Sequence, residues 1–152
     1  MNSNEIHASS PFNDGWTREF YKTRALVLDI NNIEGDVVKD NDTYLLKDNK
    51  KLNNLILSST TLKPKKETRG HSHTGQEEIY FFIHGQGKMI LDETELTVKA
   101  GDVVLIPDGA FHKVINECNE NLYFVCVFDG KRYGESTTYT TTLESADQEK
   151  EL

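Results

Sequence analysis

Two short stretches decide how this sequence is interpreted. Residues 70–78 read GHSHTGQEE, and residues 101–112 read GDVVLIPDGAFH. If the first stretch is extended, His71 and His73 present two imidazoles on the same face, because they lie two residues apart. The turn residues that follow bring the chain back at an acidic residue whose carboxylate can reach the same ion. The Pro-Asp-Gly turn of the second stretch delivers His112 at the start of another strand, so together the stretches predict a metal site.

The rest of the chain predicts an all-β domain. Between residues 24 and 128, short apolar runs alternate with clusters of Asn, Asp, Gly and Lys, which is the pattern of strands separated by turns. No convincing helical pattern competes, and the even spacing of the runs favours a sandwich or barrel over a parallel α/β sheet. The predicted strands are 25–30, 43–46, 55–62, 78–83, 87–91, 95–98, 102–106, 112–116 and 122–128.

The length of the chain predicts one compact domain. A chain of 152 residues is too short for two full domains of ordinary size. We expect a partly ordered N-terminal extension over residues 1–23, the barrel over residues 24–134 and a polar, acidic tail over residues 135–152. Both ends are rich in polar residues, which is typical of segments outside a core.

The charge of the chain argues against two classes of partner. Its formal net charge is −8 and its pI is about 5.1, so it lacks the basic surface that nucleic acids and anionic lipids attract. The sequence also shows no apolar run long enough for a signal peptide or a membrane span. We therefore expect a cytoplasmic protein that binds neither nucleic acid nor membrane. Cys118 and Cys126 are interpreted as ordinary reduced residues, since their spacing fits neither a disulfide framework nor a CxxC motif.

The two stretches resemble the paired motifs of the cupin superfamily. The second motif combines glycine, proline, glycine, histidine and asparagine at fixed spacing, and it is met in full by Gly101, Pro107, Gly109, His112 and Asn116. The first motif is met by His71, His73, Glu78 and Gly85. One position departs, because the glycine that opens the first motif is replaced by Lys65, next to Pro64, which can also turn the chain.

The resemblance implies a single-domain cupin β-barrel, also described as a double-stranded β-helix or jelly roll. Its metal ligands would be His71, His73, Glu78 and His112. Glu78 matches the motif spacing to the later glycine, and Glu77 would face the other way along the strand. Imidazole and carboxylate donors suit one divalent transition-metal ion, which could be iron, manganese, nickel, copper, cobalt or zinc, and they argue against calcium. The resemblance also implies a homodimer.

Four further residues are candidates for binding a small-molecule substrate. Alternation along the strand places Tyr80, Phe82 and His84 on the face of the predicted ligand Glu78, where the aromatic rings could line a pocket or simply fill the barrel. His84 could act as an acid or base at the pocket mouth or be a solvated residue. Arg69 shares the face of the two nearby histidines if the strand is regular, although pairing with an adjacent glutamate is the plainer interpretation.

Three functions remain compatible with the sequence. The first is a metalloenzyme of isomerase or proton-transfer type that acts on a sugar, a sugar phosphate or a similar oxygenated substrate. Residues 68–73 are similar to the metal segment of archaeal-type cupin phosphoglucose isomerases, but Ala110 and Phe111 do not match that family's residues. The second is an iron- or copper-dependent oxygenase, an oxidoreductase. The third is a non-catalytic module that binds a small molecule.

Overall fold

The computed structural model describes residues 27–130, and these residues form two antiparallel β-sheets. The nine strands are β1 (Asp36–Asp40), β2 (Tyr44–Asn49), β3 (Leu55–Leu62), β4 (Glu78–His84), β5 (Gln86–Leu91), β6 (Thr94–Lys99), β7 (Val103–Ile106), β8 (His112–Ile115) and β9 (Leu122–Asp129). One sheet has the order β1-β2-β3-β9-β4-β7, and the other has the order β6-β5-β8. This arrangement confirms the all-β cupin-type fold. No helix in the described part of the chain is long and apolar enough to cross a membrane.

Eight of the nine strands overlap a predicted strand, and the exception is β1. Its sequence, DVVKD, has only two apolar residues, and both Val37 and Val38 are exposed. Such an edge strand lacks the buried alternation by which a strand is recognised. The prediction of a strand over residues 25–30 is wrong for its described part, because residues 27–30 form a bend and a turn.

The hydrophobic core lies between the two sheets. Alternate residues of β4 and β9 point inward from the large sheet, and Met89, Val98 and Val114 face them from the small one. Rings dominate the centre, where Phe124 stacks on Tyr80 with ring centroids 5.2 Å apart. The other members of this buried cluster are Tyr44, Leu62, Phe82, Ile106, Ala110, Leu122 and Cys126. Burying these large side chains is the main stabilising contribution to such a fold.

The outer face of the large sheet is also apolar and is partly covered by residues before β1. Leu28 and Ile33 pack against a second cluster that includes Tyr123 and Val125 of β9. The Tyr123 hydroxyl donates a hydrogen bond to the carbonyl of Ile30 over 3.0 Å and accepts one from the backbone N–H of Ile33 over 3.3 Å. These contacts fasten residues 28–33 to the sheet.

The two sheets are joined by backbone bridges and not by a continuous ladder. Residues preceding β4 pair with β8 through two isolated bridges, Glu67 with Ile115 and His71 with His112. Among the described residues, β7 pairs only with β4, so β7 is an edge strand of the large sheet.

The domain boundaries are not tested by these observations. The predicted extension (1–23), most of its junction with the barrel, and the predicted tail (135–152) lie outside the described residues. The limits of the barrel at 24 and 134 therefore remain predictions.

Candidate metal centre

Two of the four predicted ligands are brought together by the bridge between the sheets. His112 is the first residue of β8, and its backbone N–H donates to the carbonyl of His71 over 2.9 Å. The N–H of His71 donates back to His112 over 3.1 Å. Directly paired residues of antiparallel strands project their side chains to the same side. The two rings accordingly lie edge to face, with centroids 4.4 Å apart.

The other two ligands are placed by the turn between His73 and β4. Gly109 donates its N–H to the carbonyl of His73 over 3.0 Å, and the carboxylate of Asp108 accepts a hydrogen bond from the N–H of Gly75 over 2.6 Å. Glu78, the first residue of β4, then points inward. The turn that precedes β8 therefore holds the loop between the two remaining ligands.

The four side chains form one compact, buried group. Their ligand atoms all lie within 4.8 Å of one another, and the four residues are between 2% and 8% exposed. Oε1 of Glu78 lies 2.8 Å from Nε2 of His73 and 3.5 Å from Nε2 of His112. Nδ1 of His112 lies 3.0 Å from the carbonyl oxygen of Ala110. Since a carbonyl only accepts, this hydrogen bond places the proton on Nδ1 and leaves the Nε2 lone pair facing the group.

The electrostatics of the group favour an ionised glutamate. Burial by itself would raise the pKa of Glu78, since it removes water from the charged form. Hydrogen bonds with His112 and His73, and the electrostatic influence of the nearby His112 and His71 rings, outweigh burial and bring the pKa of this carboxyl well below its usual range. Glu78 is thus a carboxylate at neutral pH, which is the form that coordinates a cation.

The donor set fits a transition metal. Three imidazoles and one carboxylate converging within this span could hold one divalent ion, and nitrogen-rich sets of this kind suit first-row metals better than calcium or magnesium, which prefer oxygen. The identity of the metal does not follow from the donors, because the same set accommodates several ions. The structure brings Glu78 to the histidines, while Glu77 is exposed on the outer face.

The predicted aromatic residues lie beside the group in the core. Tyr80 is buried, and its ring meets that of His112 edge to face with centroids 5.8 Å apart. Phe82 is one pleat further along β4, also buried, and packs against Phe124 at 5.4 Å. Tyr80 therefore contacts the group directly, whereas Phe82 does so only through its neighbours.

The strand alternation that was expected to place Arg69 and His84 near the four-residue group does not do so in the structure. Gly70 has a φ of +84°, and a Cβ there would lie 2.5 Å from Cζ of Phe111, so the chain is not a regular strand through residues 69–73. The regular alternation on which the placement of Arg69 beside the histidines depended is therefore not present, and Arg69 is exposed. Glu67, the glutamate expected to pair with Arg69, forms an ion pair with Lys113 over 2.7 Å.

His84 lies at the opposite end of β4 from Glu78. Its Nε2 is 2.7 Å from Oδ1 of Asn31, and its ring packs near Tyr123. Six residues of strand span about 20 Å, which separates His84 from the four-residue group. A role for His84 or Arg69 in substrate binding remains a prediction.

Two positioning residues were missed by the sequence analysis. Asp108 was recognised only as part of a turn, although its carboxylate bonds the loop between two ligands. Asp92 accepts a hydrogen bond from the N–H of Phe111 over 3.0 Å, and so fixes the residue before His112. An Asp beside a Gly or in a hairpin signals a turn, but nothing in a single sequence shows which distant N–H it will meet.

Comparison with known proteins agrees with this fold. The Cupin domain family model (Cupin_2) matches residues 58–128, the segment that carries all four residues of the group. Solved structures with the same architecture include a Cupin 2 conserved barrel domain protein from Salinispora arenicola, with TM-score 0.51, 24% identity, and coverage of 67% of this chain and 84% of that one. Another is an uncharacterized protein with a double-stranded β-helix domain from Klebsiella pneumoniae, with TM-score 0.59, 19% identity, and coverage of 68% and 89%. Residues 58–128 of this chain therefore belong to the cupin superfamily.

Two further relatives match this chain over part of its length. The oxalate-binding protein of Thermotoga maritima is 31% identical over 72 residues, which is 47% of this chain and 60% of that protein. The glucose-6-phosphate isomerase of Thermococcus kodakarensis is 29% identical over 109 residues, which is 61% of this chain and 58% of that protein. The chain thus spans less than two thirds of the length of either relative.

Proposed function

We propose that this chain is a metal-dependent enzyme that transfers a proton within a small oxygenated substrate, such as a sugar or a sugar phosphate, and so acts as an isomerase. The observation that carries the proposal is the buried group formed by His71, His73, Glu78 and His112. A divalent ion held there would polarise a carbonyl or hydroxyl group of the substrate. The similarity to glucose-6-phosphate isomerases supports this substrate class.

The residues around the group have separable roles in this proposal. Glu78, ionised and buried, supplies the negative charge that balances the ion. The hydrogen bond from His112 to Ala110 keeps its Nε2 directed inward. Tyr80 is the candidate acid or base, because its ring contacts His112 whereas His84 lies at the far end of β4. A phenol can exchange a proton when a neighbouring cation lowers its pKa.

A second candidate function is the binding of a small oxygenated anion without turnover. The specific observation in its favour is the similarity to an oxalate-binding protein. A carboxylate or hydroxy acid could occupy the coordination positions that four protein ligands leave on a six-coordinate ion. The same four residues would serve both functions, so only a search for turnover separates them.

The first test is metal content. Purified protein reconstituted with manganese, zinc or iron should carry close to one ion per chain by elemental analysis. Changing His112→Ala should sharply lower occupancy, because a first-row ion depends on every ligand. The control is His84→Ala, which removes an exposed histidine at the far end of β4 and should leave occupancy unchanged. Unmodified protein that binds none of the three metals would contradict the proposal.

The second test is turnover. Protein loaded with each metal is incubated with aldose and ketose phosphates, free sugars and small keto acids, with and without oxygen. Isomerisation that is independent of oxygen and lost in Tyr80→Phe would support the proposed reaction. Oxygen consumption coupled to product would favour the oxygenase alternative. Tight binding of oxalate or a hydroxy acid with no conversion of any compound would favour the binding module.

A further inference from the structure

Within residues 27–130, the outer face of the large sheet is covered over part of its length only. Leu28 and Ile33 pack on that part, against Phe81, Tyr123 and Val125. Beyond them the same face continues into a groove of about 500 Å³. Its outward-facing side chains are Leu55, Glu77, Ile79, Leu105, Pro107, Val127 and Asp129. We call this surface the outer groove.

The outer groove is apolar and open to solvent. Leu105 is 66% exposed, and Val103 and Leu55 on its margins are 53% and 43% exposed. Strand register aligns Leu105, Ile79 and Val127 in one row across β7, β4 and β9. A contiguous apolar row of this kind usually marks a surface that another segment covers, whereas single exposed residues are common. The charged residues Glu77 and Asp129 lie at its rim and make that rim acidic.

We propose that residues 12–21 of the same chain cover the outer groove. This segment reads FNDGWTREFY and contains four aromatic residues. Phe12, Trp16 and Phe20 recur at every fourth position. A spacing of four puts side chains on one face both in a strand, where the period is two, and in a helix, where it is 3.6. The segment therefore offers an aromatic face whichever conformation it takes.

The entry point of the chain makes this occupant reachable. Leu28 already packs on the same face, next to the row that lines the outer groove. Residues that point outward from a strand lie about 7 Å apart along it. Ile79 is the next outward residue of β4 after Phe81, so its row begins about 7 Å from the covered part of the face. The 11 residue-to-residue steps from Trp16 to Val27 can span up to about 36 Å, several times the distance required.

Charge also favours the N-terminal segment over the C-terminal one. Residues 1–26 contain three basic and three acidic residues, and the bases Arg18, Lys22 and Arg24 all lie near the aromatic run. Residues 131–152 contain five acidic and three basic residues and only two aromatic residues. Opposite charges attract across a partly desolvated rim, so the acidic edge of the outer groove attracts the first segment more than the second.

The single tryptophan of the chain makes the proposal directly testable, because Trp16 lies within the segment. In the full-length protein, Trp16 emission is expected to be blue-shifted and protected from acrylamide. Changing Leu105→Asp places a charge in the outer groove without disturbing the core, and should shift the emission to longer wavelength with a severalfold increase in the quenching constant. The matched control is Leu52→Asp, at a leucine that is 55% exposed and does not line the groove, and it should change neither.

A reciprocal variant and a mass measurement complete the test. Phe12→Ser leaves every described residue intact and should increase binding of a hydrophobic dye to the outer groove, with unchanged thermal unfolding of the barrel. Emission typical of exposed tryptophan in the unmodified protein, unaffected by Leu105→Asp, would overturn the proposal. Sedimentation that shows a dimer dissociated by Leu105→Asp, with Trp16 emission unchanged, would also overturn it and assign the groove to a second copy of the chain. None of these outcomes depends on the metal site.

Discussion

At the residue scale, Lys65 shows how the chain keeps a motif conformation without the motif residue. The motif opens with glycine, and Lys65 has a φ of +63°, the left-handed region that glycine adopts without strain. Its backbone N–H donates to the carbonyl of Cys118, and its Nζ to that of Glu117, which anchors the turn. The chain therefore turns here without the motif glycine, at the expense of strain in a residue that carries a Cβ.

The strain at Lys65 predicts that Lys65→Gly stabilises the protein. A left-handed backbone conformation destabilises a residue with a Cβ by about 1–2 kcal/mol. Glycine removes this strain, but its greater flexibility in the unfolded chain lowers the free energy of unfolding by about 0.5–1 kcal/mol. We expect a net gain of up to about 1 kcal/mol in the free energy of unfolding, measured by urea titration. The matched control, Lys66→Gly, changes the next residue, which has no positive φ, and should lose about 0.5–1 kcal/mol. Equal losses in both variants would show that the turn is not strained.

At the scale of elements, residues 28–33 form a strap that side chains of β4 and β9 fasten to the large sheet. Tyr123 holds the strap through hydrogen bonds to Ile30 and Ile33, and His84 bonds Asn31 beside it. Burial raises the pKa of Tyr123, because the neutral phenol is favoured where water is excluded. A raised pKa means that the hydroxyl contributes stability fully below about pH 10, its usual value, and loses that contribution as the pH rises through the folded pKa.

These contacts predict the behaviour of Tyr123→Phe. Removing the hydroxyl should lower the free energy of unfolding by about 1–2 kcal/mol at neutral pH, since two backbone groups lose their partner. The difference from the unmodified protein should shrink above about pH 10, where the unmodified protein loses its own contribution. Urea titrations of both proteins at pH 7 and above about pH 10 measure the loss at neutral pH and its decrease at alkaline pH. A difference that stays constant across this range would contradict the assignment of the hydroxyl to the strap.

At the scale of the whole molecule, the metal group couples the two sheets. His71 and His112 lie on the bridge to the small sheet, and Glu78 opens a central strand of the large one. An ion bound by all of them would therefore connect elements that otherwise meet mainly through the core. Anything that binds only the folded protein stabilises it by mass action.

This coupling predicts metal-dependent stability with a defined pH range. Free metal at 100 times its dissociation constant should raise the free energy of unfolding by about 2.7 kcal/mol, and a chelator should reverse the gain. The gain should fade below about pH 6.5, because protons compete with the metal for imidazole nitrogen. Calorimetry of the unmodified protein and of His112→Ala, with metal and with chelator, provides the measurement. Identical unfolding curves with metal and with chelator in the unmodified protein would contradict a metal centre.

The sequence by itself determined the strands that bury one face and the candidate ligands. Strands such as β3 and β9 were predicted because each contains a short apolar run and is separated from its neighbours by clusters of turn residues. The four residues of the group were predicted because two short motifs hold them at fixed spacing. The apolar runs and the motif spacings are both local features of the sequence, so they can be recognised without knowledge of the fold.

Only the tertiary structure decided the features that depend on partners distant in the chain. The exposed strand β1 exists because β2 offers it a hydrogen-bonding edge, which no pattern in DVVKD reveals. The positive φ of Gly70 interrupts the regular strand whose alternation would have placed Arg69 on the face of the histidines. His84 points to the same face of β4 as Glu78 but lies six residues further along the strand. Alternation along a strand determines only the face on which a side chain lies. The distance of that side chain from a site depends on where the other elements pack.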